Sequence, residues 1–296
     1  NRVELTGGPV APAPSTTFAQ LQQKFFANSQ PRTANRGSGD TPEKMLVVAK
    51  DELLEELEPL VTWKRQMGIH TTVVPMSEIG SIEADAVYDF VKNYYAEHGI
   101  TYLLLVGSES AIKPKMRQSG GALYSCDNCF GYMTGDDHLP EILVGRLHAA
   151  TPMQLRIMVD RNLEYETSPL IDPDKNWMAA GMASASDEGL GFGDDGQADW
   201  QHGNEWKAKH LADGYELYWE FYDGSHGDES PTPNHITADQ PGNPPYAPLV
   251  EAMNTRGVSL YNYTGHGWEQ GLVSGNFTNA AVSTLREHAR SEGLDT

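Results

Sequence analysis

Cysteine is nearly absent: 296 residues hold two, Cys126 and Cys129, three positions apart. That excludes a scaffold built on many disulfides and leaves few thiols for chemistry. Basic side chains are also scarce. The 21 Lys and Arg are outnumbered by 41 Asp and Glu, for a formal charge of −20. A nucleic-acid surface needs clustered cations to displace counterions, so this balance argues against one. It argues equally against docking on anionic lipid and favours cationic partners or divalent cations. No segment approaches the roughly 20 consecutive apolar residues that would span a bilayer. Residue 1 is Asn, with no basic stretch leading into an apolar one. The expectation is a processed or trimmed chain whose targeting signal has been removed.

What is present is a globular composition. Hydrophobic residues make up 39%, and 6 Trp, 13 Tyr and 8 Phe are far more than an acidic disordered chain carries. The length suggests about two domains. Residues 1–43 are rich in Pro, Ser, Thr and Asn, broken by one amphipathic stretch at Phe18–Phe26. They read as an N-terminal extension or the remnant of a pro-segment.

From Met45 onward the pattern is regular. Met45–Ala49, Tyr102–Gly107 and Glu141–Arg146 are short continuous apolar runs, the mark of strands buried on both faces, and His70–Val74 is β-branched. Between them, Leu53–Trp63 and Ile82–His98 repeat at helical spacing, and a further helix is expected over Thr151–Tyr165. After the seam Ser168–Pro173 the alternation restarts. Strands are expected at Trp177–Met182, Glu216–Tyr222 and Val258–Tyr263, with helices at Trp200–Ala212, Pro248–Asn254 and Ala280–Arg290. The fold class is therefore α/β, with two mainly parallel sheets flanked by helices, over 44–168 and 169–296. The second unit has three strands and ends on a helix, so at least one more core strand is expected beyond Thr296.

The sharpest local feature is Tyr263-Thr264-Gly265-His266-Gly267-Trp268, directly after an apolar strand. Ligands in parallel α/β sheets bind outside the carboxyl ends of the strands. There, glycines on both sides leave an imidazole uncovered and let backbone N–H groups approach a reacting atom. The same pattern also describes a plain surface turn whose glycines supply positive φ.

The segment Asn262–Gly267 resembles the catalytic-His segment of the gingipain-like cysteine peptidases, family C25 of the caspase-related clan. The likeness extends in order along the chain. Leu60–Ile69 is similar to the first helix of those enzymes, Tyr102–Gly107 to their third strand, and Gly135–Arg146 to a family hallmark. It covers everything from about Met45 onward and makes the second unit caspase-like. The implied activity is a secreted bacterial cysteine endopeptidase, possessing a Cys–His dyad and acting on protein or peptide substrates. His266 would be the general base and acid, and the N–H of Gly267 an oxyanion donor. Glu188 would orient the His, with Asp187 as the alternative. The family nucleophile follows the next core strand. Neither Cys126 nor Cys129 matches it, which implies a Cys on a segment or second polypeptide after Thr296, separated by (auto)proteolysis or not included.

The resemblance carries further expectations. Gln197–His202 is similar to the stretch that supplies the acidic base of the primary pocket in arginine-specific relatives, so Asp199 would pair with a substrate Arg, or with Lys. Asp199 also reads as an N-cap. Relatives bind calcium, and Asp137 and Glu141 are the candidates in the acidic turn Gly135–Glu141, a stretch that reads equally as a solvated turn. Ser108 stands where relatives can carry an Asp, and Asp194-Asp195 is a second acidic loop. Cys126-Asp127-Asn128-Cys129 reads as a local disulfide in an oxidising compartment. Free buried thiols and half a metal site are its alternatives; the absence of a second C-x-x-C weighs against zinc, and the absence of an expected helix opening after a strand weighs against a redox motif. Two other functions compete. One is a catalytically inactive binding or secretion-system module on the same fold. The other is a metal-dependent hydrolase using His202, His210 or His266, although no H-E-x-x-H occurs.

Overall fold

The longest apolar runs of the first half become the middle of a parallel sheet. The computed structural model describes residues 43–119, 121–135, 139–167, 177–186, 188, 196–222, 246–255 and 257–285. The chain divides into two compact units, Asn1–Ser168 and Pro169–Thr296. Each is α/β, with a parallel sheet flanked by helices.

In the first unit, strands β1 (Lys44–Ala49), β2 (His70–Pro75), β3 (Tyr102–Val106) and β6 (Leu143–Leu147) stand in the order β2-β1-β3-β6, all parallel. Side chains alternate across a strand, so β1 feeds two cores. Leu46 and Val48 pack with Val87, Val91 and Tyr95 of helix α3 (Ala84–His98). Val47 and Ala49 face the other way, toward Leu57, Leu60 and Val61 of α1 (Leu54–Gln66) and Leu155 and Val159 of α4 (Pro152–Thr167). Each of these Leu and Val side chains contributes roughly 1.5–3 kcal/mol on burial. Lys64 of α1 donates to Glu166 of α4, which also accepts from Trp63 Nε1 at 2.7 Å. A one-turn helix, α2 (Met76–Ile79), follows β2.

Between β3 and β6 the chain makes an antiparallel hairpin that sequence periodicity did not announce: β4 (Met116–Ser119) and β5 (Ala122–Ser125). Cys126 and Cys129 follow directly, bonded to each other, with a 3-10 helix over Asp127–Gly131. A short helix therefore does open after a strand here, contrary to expectation. Four-residue strands with exposed Met116, Leu123 and Tyr124 leave no buried period to read. Asp127, between the cysteines, receives a two-pronged pair from Arg146 of β6: Nε to Oδ2 at 2.6 Å and Nη2 to Oδ1 at 2.7 Å. The third nitrogen of Arg146 donates to the carbonyls of Gly107 and Ile112, both at 3.1 Å.

In the second unit, β7 (Ala180–Ala185), β8 (Leu217–Tyr222) and β9 (Leu260–Thr264) stand in the order β8-β7-β9, again parallel. The first strand starts three residues later than expected, since Trp177–Ala179 is a 3-10 turn. The large side chains there misled; the strand itself is the small-residue run AGMASA, buried throughout. Smallness is required. A Cβ on Gly181 would lie 2.6 Å from the ring of Tyr218. One face packs Met182, Trp219 and Phe221 on Leu249 and Ala252 of α6 (Ala247–Thr255). The other packs Ala183, Ala185, Tyr218 and Tyr222 against Trp200 and Leu211 of α5 (Asp199–Ala212).

After β9 come a small hairpin, β10 (Gly267–Trp268) with β11 (Gly271–Leu272), and a one-turn helix α7 (Asn279–Val282). The helix expected over 280–290 does not continue through 283–285. The hydroxyls of Ser283 and Thr284 turn back onto the carbonyls of Ala280 and Ala281, both at 2.7 Å, and compete with the helical ladder. Residues 286–296 and the seam 168–176 lie outside the described residues, as does the N-terminal extension through residue 42.

Candidate active site

The order β8-β7-β9 makes β7 the strand at which the chain reverses direction across the sheet. The crevice outside the carboxyl ends of β7 and β9 is therefore the switch point where open α/β sheets bind ligands. Both segments singled out in the sequence leave the sheet there. Ala185 and Thr264 are register partners, and the N–H of Ser186 donates to the Thr264 carbonyl at 3.0 Å. Glu188 lies three residues past β7, and His266 two past β9. Their side chains meet: His266 Nε2 is 2.9 Å from Glu188 Oε2. Both are open to solvent, at 77% and 63% exposure, so the pair contributes orientation and little stability.

The turn carrying His266 is held from behind. Gly265 has φ +153, and a Cβ there would sit 2.9 Å from Tyr263 Oη, so the sharp exit from β9 requires glycine. The Tyr263 hydroxyl donates to the His266 carbonyl and accepts the N–H of Ser274 at 3.1 Å. That same carbonyl also accepts the N–H of Val273 at 2.9 Å. Gly267 then enters β10 opposite Leu272.

Glu188 is held by a ring of hydrogen bonds. Its N–H donates to Ser186 Oγ at 3.2 Å, and its carbonyl accepts the N–H of Asp199 at 2.9 Å. The Ser186 hydroxyl in turn donates to Asp199 Oδ2. Asp199 thus lies on the same network as Glu188, 11 positions further along the chain. It is the first residue of α5, not its cap. Ala198 takes that position, and its N–H donates to Gln201 Oε1 at 2.8 Å.

Within the sheet behind this edge, Ser184 Oγ meets Tyr261 Oη, and Asn262 donates to Tyr218 Oη at 3.0 Å. Burial pushes both phenols up to about 12, so they stay neutral over the physiological range. Sequence reading missed Tyr263 and Ser186. A Ser two residues before the acid is a side-chain turn signal that would have marked the second.

The remaining candidates are placed as follows. Asp187, Asp137, Asp194 and Asp195 lie outside the described residues. Glu141 secures a turn: Oε2 accepts the N–H groups of Met133 and Thr134 at 2.7 and 3.1 Å, and Oε1 accepts the Thr134 hydroxyl at 2.7 Å. His202 and His210 are on α5. Among the described residues no group of three or more His, Cys, Asp or Glu is arranged to hold a metal ion. No helix among them is long and apolar enough to cross a membrane.

The sequence profile of Peptidase family C25 matches residues 38–292. Gingipain R2 of Porphyromonas gingivalis is 29% identical over 273 residues, covering 91% of this chain and 34% of the relative. Lys-gingipain W83 from the same species is 26% identical over 253 residues, covering 83% and 13%. The crystal structure of the Arg-specific cysteine proteinase gingipain R superposes with a TM-score of 0.69 at 29% identity, covering 83% of this chain and 52% of that one. The complex of the pro- and mature domains from the same organism gives 0.68 at 30%, covering 82% and 52%. The chain thus spans about a third of gingipain R2 and half of the solved gingipain chains. A family profile matched from residue 38 to residue 292 of 296 makes this chain a member of peptidase family C25, related to the gingipains.

Proposed function

We propose that this chain contributes the acid–base half of a secreted cysteine endopeptidase that cleaves after Arg. The observation that carries the reading is the 2.9 Å contact between His266 Nε2 and Glu188 Oε2 at the switch point of the second sheet. An ionised carboxylate only accepts hydrogen bonds, so the ring nitrogen facing it carries the proton and Nδ1 keeps the lone pair. Nδ1 is then the base. It takes the thiol proton, the thiolate attacks the scissile carbonyl, and the imidazolium returns the proton to the leaving amine. Water then hydrolyses the acyl-enzyme with Nδ1 again acting as base. The N–H of Gly267 is assigned to the developing oxyanion.

The thiol is assigned to residues outside these 296, on a following segment or a second polypeptide, because Cys126 and Cys129 are bonded to each other. Asp199 is assigned to the base of the primary pocket, where a carboxylate suits a guanidinium. The local disulfide and the net charge of −20 agree with an extracellular setting and a cationic substrate. Calcium belongs to the same reading, on the turn of Asp137 and Glu141. A carboxylate has about four acceptor positions, and Glu141 spends three on its turn, which leaves one for a cation. Its place would be structural, with no catalytic step passing through it.

The test is hydrolysis of Arg-containing peptides by the protein at its full natural length. His266→Ala is expected to lower kcat by roughly 10²–10⁴-fold. Undiminished hydrolysis in that variant would overturn the mechanism.

A further inference from the structure

We infer that Ser186 is a positioning residue that locks the His-orienting carboxylate and the pocket carboxylate into one unit. The role rests on the peptidase reading of His266, Glu188 and Asp199 above. Ser186 is 5% exposed and sits one residue past β7. Its main chain is fixed to the end of β9 through the 3.0 Å bond from its N–H to Thr264 O, two residues before His266. The hydroxyl is therefore delivered to one place, between Glu188 and Asp199.

What it does there follows from its chemistry. A hydroxyl has one proton and two lone pairs. The Asp199 carboxylate can only accept, so the proton goes to Oδ2. The Glu188 N–H can only donate, so it takes a lone pair, at 3.2 Å. The ring closes through the backbone, from the Asp199 N–H to the Glu188 carbonyl at 2.9 Å. Alanine at 186 would remove two sides of this ring together. The Glu188 backbone would lose the anchor that points its side chain at His266, and Asp199 would lose the donor that fixes its rotamer. One deletion should therefore impair both proton transfer and recognition of the cation, although Ser186 touches neither His266 nor the reacting atoms.

The experiment uses the protein at its full natural length, with ¹⁵N-labelled histidine, in wild type, Ser186→Ala and Ser186→Thr. The ring ¹⁵N shifts of His266 report which nitrogen carries the proton. Wild type is expected to show the Nε2–H form. Ser186→Ala is expected to show a mixture, with kcat on Arg peptides falling about tenfold and KM rising severalfold. Ser186→Thr, which keeps the hydroxyl, is expected to restore all three. An alanine variant with wild-type nitrogen shifts and kinetics would overturn the role. Should Ser186→Ala fail to fold, Asp199→Ala removes the acceptor and is read the same way. It is expected to disturb the His266 shifts, and unchanged shifts there would overturn the proposal alone. A wild-type protein that cleaves no Arg peptide would sink the peptidase reading, whereas the nitrogen shifts would still decide the part played by Ser186.

Discussion

Lys207 of α5 places Nζ 2.9 Å from Oε2 of Glu220 in β8, and their side chains are 6% and 2% exposed. Glu220 Oε1 accepts the Tyr222 hydroxyl at 2.8 Å. The helix is let this close by Gly203, where a Cβ would stand 2.7 Å from Tyr222 Oη. A charge pair this dry contributes little net stability as a pair, yet neither member tolerates losing the other. Lys207→Met is expected to cost about 3–5 kcal/mol in denaturant unfolding. The double variant Lys207→Met/Glu220→Leu should recover most of it.

Arg146 cannot be replaced conservatively. Its guanidinium satisfies both oxygens of Asp127 and two carbonyls, a pattern a lysine ammonium cannot span. Arg146→Lys is expected to lose about 1.5–3 kcal/mol, the worth of a hydrogen bond to a charged group. Thermal melting reads it directly.

Tyr263 supports the turn without facing outward chemistry. Tyr263→Phe removes the hydroxyl that joins the His266 carbonyl to the Ser274 N–H. Stability should fall by about 0.5–1.5 kcal/mol. On the proposed mechanism kcat should drop severalfold with KM unchanged, because the pocket carboxylate is untouched. Steady-state kinetics on an Arg peptide separates the two.

His210 gives the second unit a pH dependence of known sign. Burial lowers its pKa, against a smaller opposing pull from Asp213, and the ring lies among Trp206, Tyr215 and Tyr218. Its buried Nδ1 has no hydrogen-bond partner among the described residues. The unfolded chain therefore takes up a proton there more readily than the folded one. The contribution of neutral His210 is complete above the unfolded value of about 6.5 and is lost as pH falls below it. His210→Phe should flatten that part of a melting-temperature profile between neutral and acid pH.

Chelation tests the calcium proposal through stability alone. An ion held at a hundredfold excess over its Kd adds about 2.7 kcal/mol to the folded state. Dialysis against EDTA is expected to lower Tm and calcium to restore it. An unmoved Tm would assign the turn of Glu141 to its hydrogen bonds only.

Much of this architecture was legible because burial on both faces writes itself as an unbroken apolar run. Met45–Ala49 and Tyr102–Val106 are such strands, and helix α3 ends where Gly99 stops it. The readings that slipped have physical causes. In β7 the buried side chains are small because Tyr218 presses on Gly181, so bulk pointed to Trp177 instead. The strands β4 and β5 are too short and too exposed to show a period. In the site, Glu188 and His266 were each visible as local patterns. Their pairing was expected from the family resemblance and not from local pattern, because it depends on which strands become neighbours. The hydroxyls of Ser186 and Tyr263 reach partners 13 and 11 positions away, and the Ser186 N–H bonds Thr264 across the sheet, so only three-dimensional closure selects those partners.

The position of β9 also sets an order of assembly. Glu188 and His266 are 78 positions apart, and between their strands lies β8, which pairs with the other edge of β7. Parallel pairing over such a distance closes late, since loop entropy must be met before contacts repay it. By that reasoning β7 and β8 would pair before His266 is brought beside Glu188. The contact of Glu188 with His266 thus depends on the pairing of β9 with β7, and on the proposed mechanism a chain that had not made that pairing would lack the orienting carboxylate beside its base.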